Sequence, residues 1–528
     1  MKQVDPSFTT VHKTLCPFCS YGCEFGIVFD DFGVKGVEYL KDGSSQGRLC
    51  PRGSAAAMYL NHPQRLGMPV KNGKEIMWTQ VIKDLKKAVD KQKNTAITFD
   101  RNITEEEYGS IVSFCKKNSI PYYASSYMEP DALLHRFADT PCTLDEIEHA
   151  DVIMVVGDPF NFSPMVSKSI INWRLSTRKH RLVVIDSINT HTAQFATDFM
   201  RVKVGAEPLI LYALCDDLPD SIDLQKTAGV DKTRVADIRA IFENADKGVI
   251  VTTLSFGHTY DPVLLVAGIG KFAETAHARV IPFFEHFGYE GNVHFSEIIS
   301  LVKKKKIKHV INFGELFPFY YPQIAREIKS ATIYSTSPLK FNEHIVLPAA
   351  MNLEKEGTIR TTFGSGRLSG AISPASGARS ITEILAAISE KTSTGTATAT
   401  APAFKLDVHE RLARLARPKK SSSARKKKGK RLTLISSTIA YSWCGLLEDE
   451  RVRINTQDAL ETGVKVGDVV QIQSKNGSCD LPILITEDVG PGIISVSAET
   501  PVVRNLFEYT VEDGVNFIPT EVEIWRKG

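Results

Sequence analysis

Three things are missing from this chain, and each removes a class of protein. No apolar run approaches the ~18 residues that cross a bilayer as a helix, so nothing in it reads as a membrane span. Positive charge is hardly in excess: 64 Lys and Arg face 61 Asp and Glu, a formal net charge of +3 over 528 residues. No global field therefore draws it to nucleic acid or to an anionic membrane. Cysteine is scarce, nine in all, too few in so long a chain for a disulfide framework. The opening MKQVDPSFTT has no charged-then-apolar signal region, and no twin-arginine pair is present. The expectation is a cytoplasmic location with thiols kept reduced. What remains, 43% apolar and 24% charged residues, is the mix of an ordinary globular protein long enough for two or three domains.

Four of the cysteines are not scattered. Cys16, Cys19, Cys23 and Cys50 make the pattern C-x2-C-x3-C-x26-C. Thiolates are soft ligands that suit an iron–sulfur cluster or zinc. Zinc ribbons bring two close pairs together; here three cysteines crowd one loop and the fourth stands alone. That spacing favours a cubane [4Fe–4S] cluster, with zinc or unliganded thiols as the alternatives. Gly22, Gly47 and Gly53 offer close backbone approach to the sulfurs, or simply turns.

Further along, GIVFDDFGVKGVEYL (26–40) reads as a hairpin. Helical periodicity over 78–92 and again over about 105–118 then brackets the strand-like AITFD at 96–100. The runs VIMVVG, LVVID, VIVTT, RVIPFF and HVINFG alternate with helical stretches. Continuous apolar strands between helices argue for parallel sheets covered on both faces, where ligands sit beyond the carboxyl ends of strands. Two stretches break the pattern: TSTGTATATAPA (392–403) is small and polar, and PKKSSSARKKKGKR (418–431) carries eight Lys or Arg in fourteen residues. Both read as solvated linker, with an acidic partner or a nucleic-acid patch as the competing explanation of the second. From Arg431 the chain turns β-rich with glycine-marked turns, which fits a small closed barrel.

The segment TLCPFCSYGCEFGIVF…GRLCPRGSAAA resembles the N-terminal cluster domain of the molybdopterin (molybdenum or tungsten bis-pterin) oxidoreductases, the family of formate dehydrogenases and periplasmic nitrate reductases. It is equally similar to the related part of the large iron–sulfur subunit of respiratory complex I. EIEHADVIMVVGDP (146–159), RLVVIDS (181–187), HVINFGELFP (309–318) and HIVLPAAMNLEKEGTIRTTFGSGR (344–367) extend the resemblance in family order. Beyond Arg431 the chain is similar to the family's dinucleotide-binding barrel, while 207–283 is poorly marked. The fold class expected is α/β: a [4Fe–4S] domain (1–66), doubly wound, mostly parallel domains (67–391), a flexible basic linker (392–430) and a C-terminal barrel (431–528).

The resemblance also implies roles. A basic residue two places past the last cluster cysteine bridges cluster and pterin in the family, which points to Arg52; the competing role is a surface arginine at a turn. Gly157, Asp158, Asp186 and Gly314 stand at strand ends, where glycine admits a nucleotide and an acid can bind a ribose hydroxyl or guanine edge, or where both merely make turns. Glu354, Glu356, Gly357 and Thr358 carry the family's EKEGT element.

The metal's own ligand is harder to find. Formate dehydrogenases place a cysteine beside a histidine well upstream of the "ADVIMVVG" strand. Here Cys142 is followed by Thr143 and lies only ten positions before Val152. The stretch is more like the shortened segment of the complex I subunit, and Cys142 reads as a core thiol. Ser125, Ser126 and Asp131 are candidate oxygen ligands, and His135 with Arg136 a weak imitation of a catalytic pair. No catalytic residue is assigned. Cys115, Cys215, Cys444 and Cys479 read as core thiols, and FPFYYP (317–322) as packing or a subunit contact.

Three functions follow. The first is an electron-transfer subunit of a larger redox complex, built on one [4Fe–4S] cluster with iron–sulfur or flavin subunits as hetero-oligomeric partners. The second is a catalytic subunit carrying a molybdenum or tungsten bis-molybdopterin guanine dinucleotide, formate dehydrogenase being the type. The third is a zinc-stabilised, non-enzymatic binding protein.

Overall fold

The computed structural model describes residues 9–100, 103–125, 133–284, 288–314, 322–340, 344–370, 372–389, 406–417, 429–438, 446, 450–498, 501–511 and 515–527. Ser126, Asp131, Cys444, residues 317–321, the stretch 392–403 and most of 418–431 lie outside them. The chain divides into two compact units, Met1–Ala132 with Glu285–Ala403, and Leu133–Phe284 with Phe404–Gly528.

The first unit opens with three antiparallel strands, Thr10–Leu15, Glu24–Asp30 and Gly33–Glu38, so the expected hairpin is present. A seven-stranded sheet follows, in the order Lys74–Glu75, Val70–Lys71, Ile345–Pro348, Thr332–Ser337, His309–Phe313, Thr95–Phe99, Tyr122–Ser125; the last five are parallel. Helix Trp78–Asp90 buries Trp78, Val81, Leu85 and Ala88 at helical spacing. Helix Glu105–Lys117 starts at a reciprocal cap, in which Thr104 Oγ1 accepts the Glu107 N–H (3.2 Å) and the Glu107 carboxylate accepts the Thr104 N–H (3.0 Å). Both helices pack into one core with Ile97, Phe99, Ile311, Phe313 and Leu347 of the sheet.

The second unit holds an all-parallel five-stranded sheet in the order Asp198–Arg201, Arg181–Asp186, Val152–Val156, Gly248–Thr253, Arg279–Phe283. Val152–Val156 is buried at every position, as a central strand covered on both faces must be. The poorly marked region 207–283 supplies much of the core through the helices Glu207–Leu214, Lys232–Glu243 and Pro262–Thr275. The C-terminal part closes a six-stranded barrel in the order Lys430–Ser436, Ile493–Val496, Val452–Ile454, Ser478–Ile485, Val469–Gln473, Thr520–Arg526. Alternating exposure along Ser478–Ile485 shows the one-face-in pattern of a barrel wall.

One expectation needs correcting. The linker expected to be flexible throughout 392–430 contains a helix, Val408–Ala416. Asp407 caps it by accepting the Glu410 N–H (3.0 Å), Leu412 is fully buried, and Arg411 pairs with Asp261 at 2.8 Å. The polar stretches on either side masked the spacing of Val408, Leu412 and Leu415. No described helix is long and apolar enough to cross a membrane.

Candidate functional site

The cysteine loop exists because two antiparallel strands end at Leu15 and begin again at Glu24, opposite one another. The Cys16 N–H donates to the Cys23 carbonyl (2.8 Å) and the Gly22 N–H to that of Cys19 (3.3 Å), so residues 16–23 form a closed loop at the sheet's end. Cys50 caps the short helix Pro51–Ser54, and a Cβ placed on Gly53 would lie 3.7 Å from the Cys16 sulfur, so this helix brings the fourth thiol to the first three. All four are buried, between 4% and 9% exposed, and none is in a disulfide. Gly22 and Gly47 use their amides in turns, Gly47 donating to Leu40 (2.8 Å).

The thiols feel one another. Burial first, then Cys50 and Cys19, push the Cys16 thiol well above its usual range, and burial with the other three cysteines does the same to Cys23. Arg52 lies in the same pocket, 5% exposed, and its guanidinium opposes the shift at Cys16. A surface arginine at a turn is therefore not what the structure holds. Among the described residues no three Cys, His, Asp or Glu converge as a set for a single metal ion. Buried thiols that act on one another suit a metal cluster, whose charge favours the thiolates that burial opposes.

In the second unit the strand ends form a different environment. Gly157 has φ +96°, and a Cβ there would lie 2.5 Å from Thr253 Oγ1. Asp158, 6% exposed, accepts hydrogen bonds from Thr192 Oγ1 (2.6 Å), the Thr192 N–H (3.3 Å) and Asn161 Nδ2 (2.8 Å). Burial nevertheless holds its carboxyl above the usual range, and Asp186 adds to that. Asp186, 1% exposed, accepts the Ile188 N–H (3.1 Å) and His258 Nε2 (3.1 Å).

His258 is the centre of this environment. Its Nδ1 meets the carbonyl of Ser436 (3.1 Å), on the first barrel strand, while Nε2 lies 4.0 Å from Glu207 Oε1. A carbonyl and a carboxylate are both acceptors, so both ring nitrogens donate and the ring is an imidazolium. Burial works against that charge, but Asp186 and Glu207 outweigh it and His258 is pushed up to about 10. Glu207, 2% exposed, makes no hydrogen bond of ordinary geometry on either carboxylate oxygen; the backbone N–H groups of Glu207 and Gly205 act on it only weakly, and burial pushes it up to about 7. The hydroxyls of Thr252, Thr253, Thr259 and Ser497 are likewise buried without partners. Acceptors and hydroxyls left unpaired at the ends of a parallel sheet are what a donor-rich nucleotide would complete. Sequence reasoning missed both His258 and Glu207; the one available signal was the acid after a glycine in VGAEP, since Gly205 takes φ +74° before the helix that Glu207 opens.

The other expected residues stand elsewhere, most in the first unit and His135 and Cys142 in the second. Gly314 has φ +125°, and a Cβ there would fall on the Asp100 carboxylate. Glu354 accepts from Arg65 (2.7 and 2.9 Å) and Lys355 pairs with Glu107 (3.1 Å). Glu356 is exposed and pairs with Arg367 (2.7 Å). Gly357, φ +153°, approaches Thr104 and Glu106, and Thr358 donates to Glu106 twice (2.9 Å each). In these positions the EKEGT element fastens the hairpin Glu356–Thr361/Gly364–Ser369 to the helix Glu105–Lys117. Ser125 donates to the Phe99 carbonyl (3.4 Å), and His135 is buried edge-on to Phe284. Cys142 is a core thiol: 1% exposed, near the Val280 carbonyl (3.6 Å) and pushed up to about 11 by burial.

Comparison with known proteins agrees with this division. Residues 9–62 match the molybdopterin oxidoreductase Fe4S4 domain and residues 433–518 the molydopterin dinucleotide binding domain. Over 312 residues the chain is 22% identical to a formate dehydrogenase subunit alpha of Methanocaldococcus jannaschii, covering 49% of this chain and 46% of that protein. It is also 22% identical over 292 residues to a nitrate reductase of Klebsiella oxytoca, covering 47% and 33%. The chain thus spans less than half the length of these curated relatives. The fold is that of acetylene hydratase from Pelobacter acetylenicus, with TM-score 0.70 over 98% of this chain at 11% identity. The Fe4S4 match decides against zinc at the cysteine loop. A cluster domain near the N-terminus and a dinucleotide-binding barrel near the C-terminus, with parallel sheets in the sequence between, are the two domain types and the fold that molybdopterin oxidoreductases carry, and it is to them that this chain is similar.

Proposed function

We propose that this chain is the redox subunit of a larger enzyme, holding one [4Fe–4S] cluster on Cys16, Cys19, Cys23 and Cys50 and a pterin dinucleotide on its strand ends and barrel. The observation that carries this reading is the pocket of four buried thiols with Arg52 inside it. When bound, the cluster supplies one-electron exchange and a molybdenum or tungsten pterin the two-electron step. The chain's part is to hold and orient. Arg52 keeps a fixed positive charge beside Cys16. Gly157 admits the close approach of Thr253 that holds this strand end, and Asp158, Asp186 and Glu207 would present acceptors to the donors of a bound dinucleotide. One cluster cannot carry electrons far, so a partner iron–sulfur or flavin subunit receives them, in the reducing cytoplasm that free thiols require.

The formate dehydrogenase and nitrate reductase relatives support a catalytic subunit. A second reading, a relay without its own metal chemistry, draws on Cys142: the only cysteine between Tyr122 and Ile153 is turned into the core against Val280. Quantifying Fe, sulfide, Mo, W and Zn, with released pterin, in anaerobically purified protein separates the readings. Iron with molybdenum or tungsten supports the first and iron without pterin the second, while zinc without iron removes both.

A further inference from the structure

We propose that a cleft in the second unit, lined by none of the strand-end carboxylates, binds a small organic anion with an apolar body. It lies between residues 203–206, the helix Leu224–Ala228 and the end of the helix Val408–Ala416, and its volume is ≈ 490 Å³. That is within the range of about 300–1,000 Å³ usual for small-molecule sites.

Its chemistry is divided by depth. Leu209 and Ile222, nearly buried, form an apolar floor with Leu415, and the Tyr260 ring closes one side. The rim is cationic. Lys203 reaches across to donate to the Lys226 carbonyl (2.7 Å), placing its ammonium at the end of the helix Leu224–Ala228. The ammonium of Lys226 and the guanidinium of Arg417 have no ion-pair partner among the described residues. The one acid of the lining, Asp223, already accepts the Lys226 N–H (3.1 Å) as a helix cap. Three cations against one occupied carboxylate, in a chain of net charge only +3, is a local excess, and a concave low-dielectric wall concentrates it. An anionic head between Lys226 and Arg417 with its body on the floor satisfies both halves. It would also fasten the helix Val408–Ala416, whose last residues form one wall. A carboxylate and a phosphate monoester share this chemistry.

The test uses the full-length, cluster-loaded protein and 1-anilinonaphthalene-8-sulfonate, an anionic aromatic probe, followed by fluorescence. One saturable site is expected, displaced by hexanoate or hexyl phosphate but not by hexanol; whichever acid competes better names the head group. Lys226→Glu with Arg417→Glu, both at exposed positions, should weaken the probe about tenfold or more while the cluster's visible absorbance stays unchanged. In the unaltered protein, the better acid should slow amide exchange across 408–416. Equal probe affinity in the charge-reversed variant, displacement by hexanol as readily as by the acids, or exchange over 408–416 indifferent to either acid would each overturn the assignment.

Discussion

Replacing His258 with glutamine should loosen the junction between the five-stranded sheet and the barrel, and should do so only below about pH 10. In the unaltered protein the imidazolium joins the Asp186 carboxylate at 3.1 Å to the Ser436 carbonyl at 3.1 Å, with Glu207 at 4.0 Å. Asp186 is 1% and Glu207 2% exposed, so removing the cation leaves buried negative charge without compensation. Breaking such a pair costs about 3–5 kcal/mol. The titration gives a compatible size: a histidine raised from 6.5 to about 10 corresponds to about 5 kcal/mol by linkage. The sign is fixed by proton counting. Between pH 6.5 and 10 the folded chain binds more protons at this site than the unfolded one, so the contribution is complete below 6.5 and disappears as pH rises through 10. Glu207, raised from 4.5 to about 7, likewise favours folding below 4.5 and loses that contribution as pH rises through 7. A two-unit protein need not unfold in one step, so the measurement is local: hydrogen exchange of peptides covering 181–190 and 430–437 at several pH values. At pH 7 His258→Gln should raise exchange there by two to three orders of magnitude, about 3–4 kcal/mol, and the difference should vanish near pH 10. Equal protection in both proteins at pH 7, or a difference that persists unchanged at pH 10, would refute the ion-pair account.

Cys23→Ser should abolish the low-temperature EPR signal of the reduced cluster and lower solubility; an unchanged spectrum refutes the ligand assignment. Arg52→Ala should keep the iron content while electron exchange with a soluble acceptor slows, and loss of iron would make Arg52 structural instead. Gly314→Ala should destabilise the first unit by about 1–3 kcal/mol from backbone strain alone, because the residue has φ +125° and a Cβ would fall on the Asp100 carboxylate. Denaturation midpoints that match the unaltered protein would show that this strand end relaxes freely.

Legibility in the sequence followed the kind of physics involved. The cysteine loop stood out because four cysteines lie close in sequence or at a marked spacing, and all four are buried and act on one another. Parallel strands were readable because burial on both faces leaves an unbroken apolar run, as at Val152–Val156. The carboxylate environment was only half readable. Asp158 and Asp186 end recognisable strands, but Glu207 lies twenty-one positions past Asp186 and His258 seventy-two. Apart from Gly205 two places before Glu207, neither breaks a local pattern, because a buried ion pair across distant segments leaves little trace in either. Glu356 and Gly357 show the reverse case. Their motif is local and was easily seen, yet Gly357 is shaped by its approach to Thr104 and Glu106, a contact that sequence spacing does not announce.

The two candidate sites share one electrostatic logic. In each, burial holds acidic groups above their ordinary range: the Cys16 and Cys23 thiols in one, Glu207 and Asp158 in the other. Each also contains one fixed cation that limits the effect, Arg52 beside Cys16 and His258 between Asp186 and Glu207. A pocket made only of buried anions would oppose folding, and one fully neutralised by its own cations would have nothing left for a ligand. One arginine among four thiols leaves the sulfurs in need of iron's charge. One imidazolium bonded to Asp186 leaves Glu207 in need of a donor. Both pockets are thus compensated enough to form in the bare chain and deficient enough to favour a positively charged or donor-rich occupant.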